Sequence, residues 1–371
     1  MKVLHVAETF KGGVATVINS LATYQLNNKE IDGVEVIVPN KHISEISSVL
    51  KYNVTTFNRK RRGLVSLINL GFVLYKKIKI YKPDIVHLHS TFAGFIGRIL
   101  IISLFKNQNI KVVYCPHAFP FLMDSHKLKK ALYIKCEKIL ARFTSKIICV
   151  GDSEYNDASL AGIPRDKMVV INNGVNIPTV SNQVNCNNCE EYVLLYVGRF
   201  DYQKGTDVFI DALKIIDDTV LDYKVKVIMV GEPVNDSVDY KNQEFKRINI
   251  IFTGWINQES LFDYYLKANC LVIPSRWEGL AMVPLEAISY KLPVIASNIN
   301  AFQSINNLSG LSFTNEDPAS LAKLLSNLNG YDLNKIKDVL YDKVVTEYTQ
   351  ELMNEKTIVA YKNLLSQEIL K

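Results

Sequence analysis

The sequence predicts an α/β protein of two doubly wound domains, each a parallel sheet covered by helices on both faces. Two patterns predict it. Short β-rich apolar runs alternate with helix-length segments twice over, and the charge balance changes between the two halves. The first series is VLHVA (3–7), VEVIV (34–38), IVHLH (85–89), KVVYC (111–115) and KIICV (146–150), spaced widely enough for crossover helices. The second is VLLYV (193–197), KVIMV (226–230), NIIF (249–252), CLVI (270–273) and PVIA (293–296). Residues 1–189 hold 25 Lys and Arg against 12 Asp and Glu, whereas 190–345 hold 15 against 21. The expected division is a first domain at 1–176, a linker at 177–191 and a second domain at 192–345. The linker, IPTVSNQVNCNNCEE, is polar and without period. A helical segment, 346–371, follows, and its periodicity leaves open whether it packs back on the first domain.

Composition agrees: 371 residues, 48% hydrophobic and 22% charged, is a globular balance. The apolar runs 63–75 and 92–105 are too short, or interrupted by Arg98, for a span of roughly 20 apolar residues. MKVLHVAETF reaches Glu8 before any secretory apolar region develops, so a cytoplasmic protein with at most peripheral membrane contact is expected. Cys115, Cys136, Cys149 and Cys270 sit in apolar segments and read as core. Cys186 and Cys189 form a lone CxxC, without the second pair or flanking histidines of a zinc set.

In open parallel sheets ligands sit beyond the carboxyl ends of the strands. The residues there are Lys11-Gly12-Gly13, Ser90 behind His89, Pro116-His117, Gly198-Arg199 and the stretch PSRWEGLAMVPLEA (274–287), all expected to face one cleft. Gly12-Gly13 precedes a helix-like run and reads either as a phosphate-binding helix start or as a plain tight turn. It is not a dinucleotide fingerprint, because GxGxxG is missing and Pro39-Asn40 stands where a ribose-binding acid belongs. VGRFDYQKG sets Arg199 and Lys204 between a strand and a helix starting near Thr206, where two cations can neutralise a diphosphate or merely be solvated. Pro284 suits a first helical turn with Glu286 just inside it. A helix dipole accounts for Glu286, but not for Glu278 in the glycine-bearing apolar loop before it.

Glu278 and Glu286 as E-x7-E, with VGRFDYQKG, the N-terminal GGV and Asn173-Gly174-Val175, resemble family 4 of the retaining glycosyltransferases, which have the GT-B architecture. EGLAMVPLEA followed by LPVIAS is the specific part, and the resemblance covers nearly the whole chain. It implies a nucleotide-sugar donor, a UDP-sugar being the commonest, held mainly by the second domain. The acceptor, a saccharide or an undecaprenyl-diphosphate-linked saccharide, would be held mainly by the first. By the same resemblance Glu286 accepts hydrogen bonds from ribose hydroxyls, Glu278 binds donor-sugar hydroxyls, and the amides of Gly279, Leu280, Ala281 and Met282 meet the diphosphate. Arg199 and Lys204 would stabilise the leaving diphosphate, Gly13 would approach it from the first domain, and His117 would lie near the transferred sugar. Two positions depart from the family's habit: Ala281 replaces a frequent glycine, and Ala118 follows His117 where many members have Gly or Asp. His117 keeps a core or capping role as its other reading, and His89 reads as structural.

No D-x-D occurs, so a divalent metal has no obvious carboxylate seat, and neither metal, cofactor nor nucleic acid is expected. The implied setting is bacterial surface polysaccharide (O-antigen, lipopolysaccharide or capsule) biosynthesis. A sugar phosphorylase or epimerase, and a non-catalytic nucleotide-sugar-binding protein, are the alternatives on the same architecture. Residues 59–82 carry eight cations and no acid, and 126–146 carry seven cations and one acid, which suits an anionic membrane surface. The apolar residues of the second segment (Leu128, Leu132, Cys136, Ile139, Leu140, Phe143) are expected to pack on the protein's own sheet.

Overall fold

A computed structural model describes residues 1–59, 63–123, 126–179, 190–234, 240–241 and 243–366. Lys60, Arg61, Arg62, Cys186 and Cys189 lie outside the described residues. The chain divides into two compact units: Met1–Gly174 with the C-terminal segment from Gln350, and Val175–Thr349.

The first unit holds β1 (Lys2–Ala7), β2 (Gly33–Pro39), β3 (Val54–Phe57), β4 (Ile85–His89), β5 (Lys111–Cys115), β6 (Lys146–Cys149) and β7 (Met168–Val170), all parallel in the order β3-β2-β1-β4-β5-β6-β7. β1 and β4, at the centre, are buried almost throughout, as strands covered on both faces must be. The connecting helices are α1 (Gly13–Leu26), α2 (Leu64–Tyr81), α3 (Thr91–Leu104), α4 (Lys127–Ala141) and α5 (Asp152–Leu160). The chain steps one way along the sheet from β1 to β2 and the other way from β3 to β4, β5 and β6. Right-handed crossovers therefore put α1 on one face and α2, α3 and α4 side by side on the other.

The second unit holds β8 (Glu191–Val197), β9 (Lys224–Val230), β10 (Asn249–Gly254), β11 (Cys270–Ile273), β12 (Val294–Ser297) and β13 (Ser312–Phe313), parallel in the order β10-β9-β8-β11-β12-β13. Its helices are α6 (Thr206–Asp217), α7 (Gln258–Lys267), α8 (Met282–Ser289), α9 (Gln303–Ser309), α10 (Pro318–Leu325) and α11 (Leu333–Glu347). The last helix, α12 (Gln350–Ser366), belongs to the first unit, where it packs on α1. Its Tyr361 is fully buried and bonds His87 Nδ1 at 2.6 Å.

α4 departs from the expected inward apolar stripe. Leu140 is buried and Cys136 half-buried, but Leu128, Leu132, Ile139 and Phe143 are exposed. The physical reason is Arg98 on α3, fully buried and stacked 4.0 Å from the Tyr114 ring centroid. A buried guanidinium needs a carboxylate, and Glu137 of α4 supplies both oxygens, at 3.1 and 2.9 Å. α4 thus turns its Glu137 and Leu140 side inward and Leu128 and Leu132 outward. Cys136 is accordingly not a core residue, whereas Cys115, Cys149 and Cys270 are.

Candidate functional site

Two loops meet at the carboxyl ends of β8 and β11. The first, Gly198–Gly205, leads into α6, and the second, residues 274–281, leads into α8. They touch through backbone: Gly205 has φ 64°, and a Cβ there would lie 1.9 Å from the carbonyl oxygen of Pro274. The amide of Arg276 donates to Gln203 O at 2.9 Å, and Gln203 Nε2 donates to Trp277 O at 3.2 Å. Gly205→Ala is therefore expected to cost more than about 2 kcal/mol, since a left-handed φ and a backbone collision coincide. Chemical denaturation checks it, and a wild-type midpoint would contradict the close approach.

Arg276 clamps the pair. Its guanidinium donates to both carboxylate oxygens of Asp207 at 2.8 and 2.6 Å, to Glu316 at 3.2 Å and to Tyr202 O at 2.6 Å. It also stacks 3.8 Å from the Tyr202 ring centroid. A planar fork with this many acceptors fixes the second loop to the start of α6.

Inside this frame Lys204 Nζ stands 2.5 Å from Glu278 Oε1, and Ser275 Oγ donates to the same oxygen at 2.9 Å. The Glu278 side chain is only 9% exposed. Asp201 organises the first loop, accepting from the Lys204 amide at 2.9 Å and pairing with Arg199 at 3.1 Å. Arg199 is bonded to Asp201 and to Gln203 Oε1 and is nearly half exposed. Lys204, Ser275, Ala281 and Pro284 line a small cavity with Tyr196 and Ile273. α8 starts beside it with no side-chain cap at Ala281, so its first-turn amides face this corner without a capping acceptor. Glu286, within α8, accepts from Tyr265 Oη at 3.3 Å, and burial raises its pKa to about 6, so it is mainly ionised at neutral pH. Gly279 and Leu280 are half-buried loop residues and Met282 is buried at the helix start.

The other predicted residues lie in the first unit. Gly13 is the first residue of α1, after Gly12 at φ 54°. His117 follows β5 and ends a file of histidines. His5 Nε2 contacts Gln25 Oε1 at 2.8 Å, His5 Nδ1 contacts His89 Nε2 at 3.0 Å, and His89 Nδ1 contacts His117 Nε2 at 3.1 Å. Burial lowers His5 to about 4 and holds His87 and His89 well below their ordinary value, so these rings are neutral. With the Gln25 carbonyl accepting, each neutral ring donates through Nε2 and accepts through Nδ1, which leaves His117 Nδ1 as a lone pair. Nitrogens of His5, His87 and His89 lie within 4.8 Å of one another. Their bonds to each other, to Gln25 and to Tyr361 suit a hydrogen-bonded file better than a metal seat.

His117 and Ala118 have φ of 53° and 94°. Glu154 holds them there: its carboxylate accepts from the amides of Ala118 and Val150, both at 2.8 Å, although burial raises its pKa to about 7. Ala118→Gly is expected to stabilise the protein by up to about 1 kcal/mol, strain relief exceeding the entropy that glycine adds to the unfolded chain. A lowered melting temperature would contradict it.

Sequence reading missed Arg276, Asp201, Gln25, Glu154 and Tyr265. Arg276 and Asp201 stand inside quoted motifs; the partners of Arg276 are remote in sequence, while Asp201 bonds within its own loop. Glu154 and Gln25 look like ordinary helix residues until the fold brings them to a loop or a buried ring.

Comparison with known proteins matches both halves of the chain. A model described as Glycosyltransferase Family 4 matches residues 11–178, and one described as Glycosyl transferases group 1 matches 181–329. The 41.2 kDa protein of the cps region of Klebsiella pneumoniae is 35% identical over 98% of this chain and 100% of its own. The Escherichia coli UDP-Gal:alpha-D-GlcNAc-diphosphoundecaprenol alpha-1,3-galactosyltransferase is 31% identical over 77% of this chain and 81% of its own. Among solved structures, sucrose-phosphate synthase of Thermosynechococcus elongatus aligns with a TM-score of 0.76 at 16% identity, over 99% of this chain and 100% of that one. Anabaena HepE in complex with UDP and glucose aligns with a TM-score of 0.73 at 17% identity, over 98% and 100%. Two parallel Rossmann-like units, family models over both and a full-length relative at 35% identity lead to one conclusion: the chain is a member of the family 4 glycosyltransferases, of GT-B type.

Proposed function

We propose that this glycosyltransferase moves a sugar, with retention, from a UDP-sugar to a saccharide or undecaprenyl-diphosphate-linked acceptor in bacterial surface polysaccharide assembly. The observation that carries the reading is the shielded Lys204–Glu278 pair at 2.5 Å beside the uncapped start of α8. The Escherichia coli relative, whose name specifies a UDP-sugar and a lipid-linked acceptor, supports the choice of both substrates.

In this reading Glu278 accepts from donor-sugar hydroxyls while Lys204 neutralises the departing diphosphate, joined by the amides of residues 279–282. Arg199 shares its fork between Asp201 and the diphosphate, and Glu286 accepts from the ribose. Gly13 and His117 keep the roles the resemblance gives them, as proposals. The acceptor hydroxyl attacks from the side the diphosphate leaves. No metal is required, because cations and amides already meet the developing charge. The chain works peripherally at the anionic inner face of the cytoplasmic membrane.

The test has two parts. Glu286→Ala is expected to weaken UDP binding in calorimetry by about 2–3 kcal/mol, two ribose hydrogen bonds at roughly 1–1.5 kcal/mol each. Transfer from a UDP-sugar is expected to survive EDTA. Wild-type UDP affinity in the variant sinks the ribose assignment, and loss of activity in EDTA with rescue by magnesium or manganese sinks the metal-free mechanism.

A further inference from the structure

α2, α3 and α4 form one layer on one face of the first unit's sheet, and the outside of that layer is apolar. On α2, Leu70, Leu74 and Ile78 point into the core, while Leu64, Val65, Ile68 and Phe72 are 57–82% exposed. On α4, Leu128, Leu132 and Ile139, with Phe143 just past its end, are 47–76% exposed. Phe95 and Ile99 of α3, between them, are also exposed. Spacings of three, four and seven residues place these side chains on one side of each helix, so they form ridges rather than scattered side chains.

Cations rim the ridges. Lys76, Lys79, Lys135 and Arg142 are exposed along the same helices, and Lys76 Nζ lies 4.3 Å from the Phe72 ring centroid, its stem folded over the apolar surface. α2 and α3 contain no Asp or Glu, and the one acid of α4, Glu137, is buried against Arg98. The face therefore presents apolar ridges and positive charge without an exposed carboxylate on any of its three helices. Two copies of this face brought together would oppose cation to cation. Anionic lipid meets both features: acyl chains take the ridges, and long lysine side chains reach back to the headgroups.

We infer that the outward faces of α2 and α4 insert into the interface of an anionic lipid bilayer, with α3 between them, so that attachment is by apolar insertion as well as by charge. This deepens the peripheral attachment in the proposed function and rests on that reading for its biological purpose, while its test uses lipid alone.

Vesicles of equal parts phosphatidylglycerol and phosphatidylcholine, without nucleotide sugar or acceptor, are sedimented with the full chain. Wild type is expected to bind at low salt and to keep a residual bound fraction at about 0.5 M salt, where surface charge attraction is screened within a few Å. Phe72→Asp with Leu132→Asp is expected to lower the partition coefficient by roughly tenfold or more and to remove that residue of binding. Phe72→Trp is expected to add vesicle-dependent blue-shifted emission, quenched by brominated lipid, beyond the signal of the native tryptophans. UDP affinity, measured on the same variants, verifies that they are folded. The inference is overturned if the Asp variant partitions like wild type, if the Phe72→Trp signal does not respond to vesicles, or if the face instead mediates dimerisation that the Asp substitutions abolish. Vesicle binding as expected with no transfer from any donor would sink the proposed function and leave the inference standing.

Discussion

Lys204→Ala is expected to lower kcat by about two to three orders of magnitude while changing the donor KM much less. Removing a single preorganised group that meets developing negative charge in a water-poor site has that size of effect. Lys204 fits the description: its ammonium is largely shielded, anchored by Glu278 at 2.5 Å, and carried on a loop whose backbone Asp201 and the Pro274 contact hold in place. The substitution does further harm, because it leaves the Glu278 carboxylate beside the diphosphate with only the Ser275 hydroxyl among its described partners. Initial rates at saturating donor, with UDP affinity from calorimetry, separate the possibilities. An unchanged kcat with a raised KM would make Lys204 a ground-state contact and remove it from the mechanism.

Acidification from pH 6.5 towards 4 is expected to unfold the protein through its buried histidines. The sign follows from proton binding. His5 has a folded value of about 4, His42 likewise, and burial holds His87 and His89 well below their ordinary value, so below about 6.5 the unfolded chain binds more protons than the native one. Their contribution is fully present above 6.5 and is lost as pH falls. Glu154, raised to about 7, and Glu286, raised to about 6, act in the opposite sense: each favours the native state less as pH rises from about 4.5. The histidines outnumber them, so stability falls on acidification by roughly 1.4 kcal/mol per pH unit for each net proton. Urea denaturation at pH 7, 6 and 5 checks it, and a flat stability across that range would show that these rings are charged or solvated in the native state.

The sequence made the architecture legible where strands are long and apolar. β1, β4, β8 and β11 each announce themselves by an apolar run, interrupted only by histidine in β1 and β4, and the loops after them could be read as ligand-facing by topology alone. β3 (VTTF), in which only Phe57 is buried, and the two-residue β13 carry too little apolar signal to stand out, since they are edge strands completed by a neighbour. The loop residues Lys204, Glu278 and Glu286 were legible as charges in an unusual place. That Lys204 and Glu278 pair depends on the two loops meeting at the Gly205–Pro274 approach, which links positions about seventy residues apart, whereas Arg199 is taken up by Asp201 within its own loop. The outward turn of α4 was hidden for the same kind of reason. Its helical period is plain, but which face turns inward is decided by Arg98 on another helix.

Tyr361 carries a consequence for the order of events at the ribosome. The first unit's sheet is complete by Val170, yet the hydroxyl that meets His87 and the helix that covers α1 belong to residues from Gln350 onward. A nascent chain that has made every strand of this unit must still wait through the synthesis of the whole second unit before its core is closed. At elongation rates of about 5–20 residues per second that is a delay on the order of ten to forty seconds. Throughout that interval His87 and the apolar flank of α1 stand uncovered, while the second unit, continuous in sequence, is free to fold as soon as it emerges. Of the two units, the one whose strands are made first is the last to finish folding.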